Sequence, residues 1–423
     1  MRILIISQFF APEPSLRPLA LTRKLKALGH EVQVLTGFPN YPLDKLYQGY
    51  RTRLVQREVV EGISVLRVPV YPSHANSAFR RILNSVSLAI SASLWGVWLV
   101  KPCDVVFVYG HPSMCLPAML LHFFRRRPWV YDLADLWPDT VLASGMCPPR
   151  PVLGLIRGWC NLAYRRATRL TVVSPGFVKP LIERGVPAEK IDVIYHWCDE
   201  EQIQTGPADE ALARKLGLSG RFNFVYAGNI GAPQALGAVI EAAALLADRL
   251  PEVQFVFVGD GVELDRLNAC VAERGLRNVR FLPRQPMSEI GAILSLADVL
   301  LIHLDANPLW TITIPSKTQS SLAAGKPILM AVEGEAAALV QRAGAGIICK
   351  PGDPESIARA AEELCRLSAD ERRAMGTRGR QFYEAELSMD VGVPRLIRVL
   401  EAAMAEQGQL GQHRKTENTK GAP

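Results

Sequence analysis

The feature of this sequence that most constrains its fold is a rhythm of short apolar runs separated by longer helical patterns. Strand-like runs rich in Val, Ile and Leu occur at residues 3–7, 31–35, 104–109, 129–131 and 170–173. The rhythm restarts with runs at 223–226, 254–258, 279–282, 299–302 and 328–331, with Ala-, Leu- and Glu-rich stretches between the runs. Such alternation is typical of parallel βαβ units, so we predict an α/β chain with two doubly wound, Rossmann-like sheets in series.

The restart of this rhythm divides the chain into domains. The intervening segment is polar and poor in β-branched side chains, as expected of a linker. We therefore predict an N-terminal domain at 1–198 and a C-terminal domain at 199–385. A helix at 386–405 is expected to pack back on the N-terminal domain. The tail at 406–423 has little apolar content to bury and is predicted to be disordered.

Cysteine usage and charge bear on compartment and partners. The eight cysteines are scattered without a C-x-x-C pair, which is typical of reduced thiols in a cytosol. The N-terminus leads directly into the first strand-like run, without the pattern of a secretion signal. Residues 1–200 carry 24 Lys and Arg against 14 Asp and Glu, a net charge of +10 within the total of +7. This half suits anionic lipid, nucleic acid or a phosphorylated substrate, and charge alone does not choose among them.

Two open α/β sheets in one chain place ligands at the carboxyl ends of their strands, so the active site is expected in the cleft between the domains. The loop after the first strand carries Glu13, Ser15 and Arg17 at the start of a helix. Arg17 and the helix N-terminus can receive an anion there, whereas the alternative is a connecting loop with a solvated arginine. Glu13 and Ser15 are predicted to lie on the acceptor side of the cleft.

A second loop in this half places three carboxylates and a tryptophan directly after a strand, in the segment from Asp132 to Asp139. One of these carboxylates can orient an acceptor hydroxyl or take its proton. We assign that catalytic role to Asp135 and an acceptor-side contact to Asp139. The alternative for Asp132 and Asp139 is that they cap helices or turns.

The C-terminal half has two loops suited to phosphate. The first carries Gly228, Asn229, Gly231 and Gln234 between a strand and a helix, and its glycines let backbone amides approach a diphosphate. In the second, Ser316 and Gln319 fit a capping box, which would place Lys317 on the first turn of a helix. In that segment we predict donor-binding roles for Ile314, Ser316, Lys317, Gln319 and Ser320.

Several motifs of the second half together resemble a known family. They are Tyr226-Ala-Gly-Asn, Val258-Gly-Asp-Gly261, Ile314-Pro-Ser-Lys317, Ala324-Gly-Lys-Pro327 and Gly352-Asp-Pro354. In order and spacing they resemble the donor half of the family 4 retaining glycosyltransferases, which have the GT-B fold of two facing Rossmann-like domains. Within that family, Asp135-Leu-Trp-Pro-Asp139 looks like the bacterial surface-polysaccharide branch, which includes O-antigen N-acetylfucosamine transferases.

The resemblance implies an enzyme that moves a sugar from a nucleotide diphosphate to a hydroxyl on a lipid-diphosphate-linked glycan. UDP is the favoured nucleotide. No metal or other cofactor is expected. The resemblance also places Gly259, Arg284 and Gln285 at the donor, the last two near the base. Two alternatives stay open: a UDP-N-acetylhexosamine 2-epimerase of similar architecture, and a non-catalytic sugar- or lipid-binding relative.

This chain departs from the family pattern at the donor site. Most members hold the diphosphate with an Arg and a Lys at the positions of Asn229 and Gln234, so Lys317 is expected to be the main cation, joined by Arg17 across the cleft. The two family glutamates are replaced by Ile312 and Ser320, which leaves Gln319 or Ser320 for the ribose. His196 replaces a hinge asparagine and is interpreted as structural.

An uncharged run at 82–100 lies between Arg80-Arg81 and Lys101 and is long enough to cross a membrane. A span here would cut the first domain between its strands, so spanning is not expected. A second apolar stretch at 114–124 precedes three arginines. We predict peripheral binding to an anionic membrane at the cytoplasmic face, with no nucleic-acid partner. The alternative is that both stretches are ordinary helices buried against the sheet.

Overall fold

The computed structural model describes the chain except for residues 15, 44, 74–77, 144–147, 204–205, 207 and 421–423. The described residues form two largely parallel sheets in sequence, each covered by helices. The predicted fold class is therefore confirmed. Both sheets bury Val-, Ile- and Leu-rich strands on both faces, which is why these strands read as continuous apolar runs.

The N-terminal sheet has eight strands in the order β3-β4-β2-β1-β5-β6-β7-β8. All neighbouring pairs are parallel except β3 and β4, which form an antiparallel hairpin at one edge. The strands are β1 (Arg2–Ser7), β2 (Glu31–Gly37), β3 (Gln56–Val60), β4 (Ile63–Val68), β5 (Val105–Tyr109), β6 (Trp129–Leu133), β7 (Arg169–Val172) and β8 (Ile191–Val193).

Among the described residues of this half, the α-helices are α1 (Leu16–Ala27), α2 (Ala78–Ser91), α3 (Val97–Leu99), α4 (Cys115–Arg125), α5 (Asp139–Ala143), α6 (Arg150–Arg166) and α7 (Val178–Glu183). A π-helical turn at Ala92–Gly96 joins α2 and α3 into one helical segment. Leu88 and Ala92 on this segment are buried in the same core as Leu35 of β2. The segment at 78–99 is therefore packed on the sheet along one face.

The C-terminal sheet has six parallel strands in the order β11-β10-β9-β12-β13-β14. They are β9 (Phe222–Ala227), β10 (Val253–Val258), β11 (Val279–Leu282), β12 (Val299–His303), β13 (Ile328–Ala331) and β14 (Gly346–Ile348). The helices are α8 (Glu210–Leu216), α9 (Gly237–Leu246), α10 (Leu264–Glu273), α11 (Met287–Ser295), α12 (Pro308–Ile312), α13 (Ser316–Ala323), α14 (Glu335–Ala343), α15 (Pro354–Arg366), α16 (Ala369–Glu386) and α17 (Met389–Lys420).

The last helix, α17, begins in sequence after the C-terminal domain but packs against the N-terminal sheet. Its Val393, Leu396 and Leu400 share a core with Ile3 and Ile5 of β1. We expected a disordered tail from residue 406, whereas the backbone is helical to Lys420. The tail continues the packed part of α17, and extending an existing helix by one residue costs far less than starting a new one.

The carboxyl ends of both sheets face the region where the domains meet. Helix α12 of the C-terminal domain lies against the N-terminal domain, with Leu309 in its core. The loop after β7 approaches α12 closely, since a Cβ placed on Gly176 would lie 2.6 Å from the Cβ of Ile312. The glycine thus permits backbone contact across the cleft. Ile312, one of the positions where the family carries a glutamate, packs between domains here.

Candidate active site

Lys317 lies on the first turn of α13, beside the loop that follows β9. Its Nζ donates a hydrogen bond to the Tyr226 hydroxyl at 2.5 Å and lies 4.3 Å from the centre of that ring. The Tyr226 hydroxyl in turn donates to the carbonyl of Asn229 at 2.6 Å. Burial lowers the pKa of Lys317 to about 8. The ammonium group is therefore held against the loop in a partly desolvated position where an anion would strengthen its charge.

Two glycine loops lie next to Lys317. Gly228 after β9 and Gly259 after β10 have φ angles of +145° and +152°, which side chains other than glycine rarely adopt. A Cβ on Gly228 would overlap the end of the Lys317 side chain, and one on Gly259 would overlap the carbonyl oxygen of Gly228. The backbone is thus bare where the two strands end beside the lysine, as close approach to a phosphate requires.

Asn229 and Gln234, the neutral residues at the positions of the family's Arg and Lys, form a hydrogen bond with each other. Asn229 Nδ2 donates to Gln234 Oε1 at 3.1 Å, and the Gly231 backbone N–H donates to the same oxygen at 3.1 Å. These bonds close the loop on itself over six residues. The loop therefore holds its shape without a bound anion, and it carries no formal charge of its own.

His303 forms hydrogen bonds with this loop and with the loop that contains Gly352. It ends β12 and is buried, with Nδ1 2.8 Å from the carbonyl oxygen of Gln234 and Nε2 accepting from the Gly352 N–H at 3.1 Å. A carbonyl can only accept, so the ring proton lies on Nδ1 and the ring is neutral. Burial lowers the pKa of His303 to about 4. Sequence reasoning missed this residue, because only the fold brings β12 beneath the loop after β9.

The capping box predicted for α13 is not formed. The N-cap is Pro315, without a side-chain cap bond, so Ser316 is the first helical residue rather than the cap. The buried Gln319 amide faces the carbonyls of Pro315 and Ser316, 2.8 and 3.2 Å away. Ser320 Oγ donates to the Ser316 carbonyl at 3.0 Å. Both side chains proposed for the ribose are thus engaged with their own helix, and their donor role stays a prediction.

The remaining predicted donor contacts lie at the same edge of the sheet. Ile314 is buried just before α13. Arg284 is exposed on the loop after β11, where Gln285 donates to the Pro283 carbonyl at 2.8 Å. The structure therefore brings the predicted donor residues to the carboxyl-end side of the C-terminal sheet, and their contacts with a nucleotide stay predictions.

On the N-terminal side, Glu13 has a structural position. Its buried carboxylate accepts backbone N–H bonds from Phe10, Asn40 and Tyr41 at 2.8–3.0 Å. Burial raises the pKa of Glu13, while these bonds oppose the rise. The side chain joins the loops after β1 and β2 rather than opening to an acceptor. Ser15, predicted beside it, lies outside the described residues.

Arg17 and Asp135 come together at the ends of β5 and β6. Asp135 is accessible to solvent after β6, yet the surrounding protein desolvates its carboxylate and raises its pKa, while His196 and Arg17 oppose the rise. Arg17 Nη1 lies 2.5 Å from Nδ1 of the buried His196. The neighbouring Asp139 instead begins α5 and pairs with Arg184 at 2.5 Å. A carboxylate and a guanidinium are thus near each other where an acceptor would enter.

His111 is a further candidate that sequence reasoning missed. It follows β5, and its Nδ1 accepts from the Ser113 N–H at 3.2 Å. The ring meets Trp137 edge-on with centroids 4.6 Å apart, and burial lowers the pKa of His111 to about 4. The ring is therefore neutral at pH 7. The sequence did indicate this position, because His111 follows β5 by two residues in Tyr109-Gly-His-Pro112, just as Asp135 follows β6 by two residues.

Within the part of the chain that the structure describes, no three His, Cys, Asp or Glu side chains gather closely enough to hold a metal ion. Metal independence stays a prediction.

Two parallel sheets whose carboxyl ends meet across a cleft, with a lysine and glycine loops on one side, define a GT-B glycosyltransferase architecture. Family models match both halves: "Glycosyl transferase 4-like domain" at residues 15–197 and "Glycosyl transferases group 1" at 209–382. The chain is 30% identical over 320 residues to WcaI of Escherichia coli, a putative colanic acid biosynthesis glycosyl transferase, covering 73% of this chain and 77% of WcaI. The protein belongs to the family 4 glycosyltransferases of GT-B fold.

Other similarities agree with this membership. The chain is 27% identical over 269 residues to the probable glycosyltransferase WbjE of Pseudomonas aeruginosa, covering 62% of this chain and 66% of WbjE, just under two thirds. Among solved structures, HepE of Anabaena with UDP and glucose has a TM-score of 0.70 at 19% identity, covering 95% of this chain and 99% of HepE. WaaG, a glycosyltransferase involved in lipopolysaccharide biosynthesis, has a TM-score of 0.62 at 18% identity, with 94% and 98% covered. At such identities the structural likeness concerns the fold.

Proposed function

We propose that this glycosyltransferase moves a sugar, with retention of configuration, from a UDP-sugar to a hydroxyl of a lipid-diphosphate-linked glycan in surface polysaccharide biosynthesis. The observation that carries the proposal is Lys317 beside the bare backbone of Gly228 and Gly259. As the sugar leaves, negative charge develops on the diphosphate, and a fixed ammonium with backbone amides stabilises it. The relation to WcaI supports the polysaccharide pathway.

UDP is favoured because HepE, which shares the fold, binds UDP and glucose. Thermal-shift measurements with UDP, GDP, CDP and ADP test this choice. A ligand at 100 times its Kd should add about 2.7 kcal/mol to the free energy of unfolding, and the other nucleotides should add much less at equal concentration. Equal shifts with all four nucleotides would contradict a UDP site.

Asp135 is proposed to orient or activate the acceptor hydroxyl. Desolvation raises the pKa of Asp135, which makes its carboxylate a stronger base toward an acceptor hydroxyl. The neutral ring of His111 is the second candidate for that contact, because it lies on the neighbouring strand end. Turnover of UDP-sugars with a lipid-linked acceptor, followed by NMR of the product anomer, tests both transfer and retention. Free UDP-linked epimer formed without acceptor would instead identify a 2-epimerase.

A non-catalytic relative is the remaining alternative, and one observation favours it. Asn229 and Gln234 form a hydrogen bond with each other, and Ser320 forms one with its own helix. The side chains at three positions that bind the donor in most of the family are therefore engaged in hydrogen bonds within the protein. UDP-sugar binding without turnover across a panel of lipid-linked acceptors would select this alternative. Turnover with any acceptor would exclude it.

The proposed site of action is the cytoplasmic face of the membrane, bound peripherally. One helical segment, 82–99, passes by length and composition as a candidate span, but half of it is buried in the domain. The polar side chains Asn84 and Ser91 are buried and bonded to backbone carbonyls. The exposed side is apolar as well, unlike the exposed face of a soluble amphipathic helix.

We call this exposed side the apolar stripe: Ile82, Val86, Ile90, Leu94 and Trp98, spaced four residues apart and 41–56% exposed. Phe123 and Phe124 of α4 extend it, with Trp98 and Phe124 rings 5.1 Å apart. The stripe lies between the basic positions Arg80 and Lys101, and α4 ends at Arg125, which Arg126 and Arg127 follow. An apolar face with flanking cations suits shallow insertion into an anionic leaflet.

Pelleting with phosphatidylglycerol vesicles tests this surface. The protein should pellet at low salt and be released by high salt or alkaline wash. The double variant Leu94→Glu with Trp98→Glu should stay in the supernatant. Val262→Glu, a change at a 79% exposed apolar residue of the C-terminal domain, is the matched control and should pellet normally. Resistance to alkaline extraction would mean that the segment spans the bilayer.

A further inference from the structure

A buried polar cluster lies where the chain crosses from β8 to the C-terminal domain. His196 in this crossover places Nε2 2.8 Å from Oδ2 of Asp132, at the end of β6. The other carboxylate oxygen of Asp132 accepts from Thr171 Oγ1 at 2.6 Å. On the opposite side of the ring, Nδ1 lies 2.5 Å from Arg17 Nη1. One imidazole thus connects a strand carboxylate to the arginine at the cleft.

The chemistry of the partners determines the state of the ring. A guanidinium only donates, so Nδ1 must accept from Arg17, and the single ring proton then lies on Nε2 and is donated to Asp132. Burial lowers the pKa of His196, the Arg17 charge lowers it further, and Asp132 opposes both. The neutral ring is therefore the form that makes both bonds. Protonation of Nδ1 would place an N–H against the guanidinium and break the Arg17 contact.

The groups around the ring come from several elements. Arg17 belongs to α1, Asp132 to β6, Asp135 follows β6, and Tyr109 of β5 has its ring 6.2 Å from the imidazole. Desolvation raises the pKa of Asp135 and lowers that of His196. A pH response of the cluster must therefore be divided between those two residues.

We propose that His196 is a positioning residue, which uses its unprotonated Nδ1 to hold Arg17 at the cleft and releases it when the ring is protonated. The inference rests on the proposed function in one respect, that Arg17 meets an anionic group of the substrate. It explains why a histidine works where the family usually carries asparagine. An asparagine amide can accept from Arg17 without titrating, so histidine adds sensitivity to acid.

Kinetics across pH 5–8 in the full-length enzyme test whether His196 positions Arg17. His196→Asn should keep kcat/KM within about threefold of the parent at pH 7.5, and its acid limb should move to lower pH. His196→Ala should lose about ten- to a hundredfold in kcat/KM at pH 7.5, the loss expected for a misplaced contact group. An acid limb that is identical in the parent and His196→Asn, or full activity in folded His196→Ala, would overturn the proposal.

A spectroscopic readout separates this inference from the proposed function. In protein with ¹⁵N-labelled histidine, the His196 ring should show the Nε2–H tautomer, identified by loss of its signals in His196→Asn. Arg17→Met should raise the pH at which the ring protonates, because it removes the facing charge. An Nδ1–H tautomer, or an unchanged titration of His196 in Arg17→Met, would refute the positioning role of His196 even in an active enzyme. An Nε2–H tautomer that responds to Arg17→Met supports it even if no UDP-sugar is turned over.

Discussion

Replacing Lys317 with methionine removes one charge and keeps nearly the same chain length. We expect kcat/KM to fall by about 10²–10³, the usual effect of losing one preorganised electrostatic contact, or about 2.7–4 kcal/mol. The loss should be at the upper end here, because Asn229 and Gln234 supply no second cation. Lys317→Arg keeps the charge and should recover part of the rate.

The same replacement has an opposite effect on stability. Burial lowers the pKa of Lys317 to about 8 in the folded protein. The unfolded value is about 10.5, and at roughly 1.4 kcal/mol per pKa unit the folded state carries a cost on the order of 3 kcal/mol at pH 7. Removing the charge relieves this cost, although the bond to Tyr226 is lost as well. Lys317→Met should therefore be at least as stable as the parent in urea unfolding at pH 7.

The pH dependence follows from the same pKa. The charged form of Lys317 binds the donor, so kcat/KM of the parent should decline as pH rises through about 8, and Lys317→Met should lack this limb. Initial rates with a UDP-sugar from pH 6 to 9.5 measure both profiles. Lys215→Met, at an exposed lysine of α8, is the matched control and should behave as the parent. A Lys317→Met variant with unchanged kcat/KM, or with the parent's alkaline limb, would refute the assignment.

Three further predictions concern the donor loop and its supports. Asn229→Arg with Gln234→Lys should tighten UDP binding at low salt, measured by calorimetry; an unchanged Kd would place the diphosphate elsewhere. Gly259→Ala should cost about 2 kcal/mol or more of unfolding free energy because its Cβ would overlap a backbone carbonyl, whereas Gly352→Ala, at φ +69° with open space around it, should cost only about 1 kcal/mol. Burial lowers the pKa of His303 to about 4, so the stability from its neutral ring is present above about pH 6.5 and is lost as pH falls toward 4. The stability advantage of the parent over His303→Gln should shrink by about 2 kcal/mol between pH 7.5 and 5 in urea unfolding, and a constant difference would contradict a neutral buried ring.

Much of the fold could be predicted from the chain because its signals are local. The apolar runs named β1, β2, β5–β7 and β9–β13 were each found near their predicted positions, since a strand buried on both faces must be apolar along its length. The hairpin β3–β4 and the short strands β8 and β14 were missed. Strands β3, β8 and β14 lie at sheet edges, where fewer side chains are buried and the apolar signal is weaker. Strand β4 is largely buried, but Ser64 and Arg67 interrupt its apolar run.

The sequence by itself determined the two-sheet architecture, the family membership and the strand ends at which Lys317, Gly228 and Asp135 lie, because periodicity and motif order record them. Only the tertiary structure decided which side chains remain available at those ends. The Glu13 carboxylate accepts hydrogen bonds from three backbone N–H groups. His196 contacts both Asp132 and Arg17, and Arg17 lies more than 170 residues away in the chain. Such bonds depend on how loops from distant strands meet, and no local pattern of residues encodes that meeting.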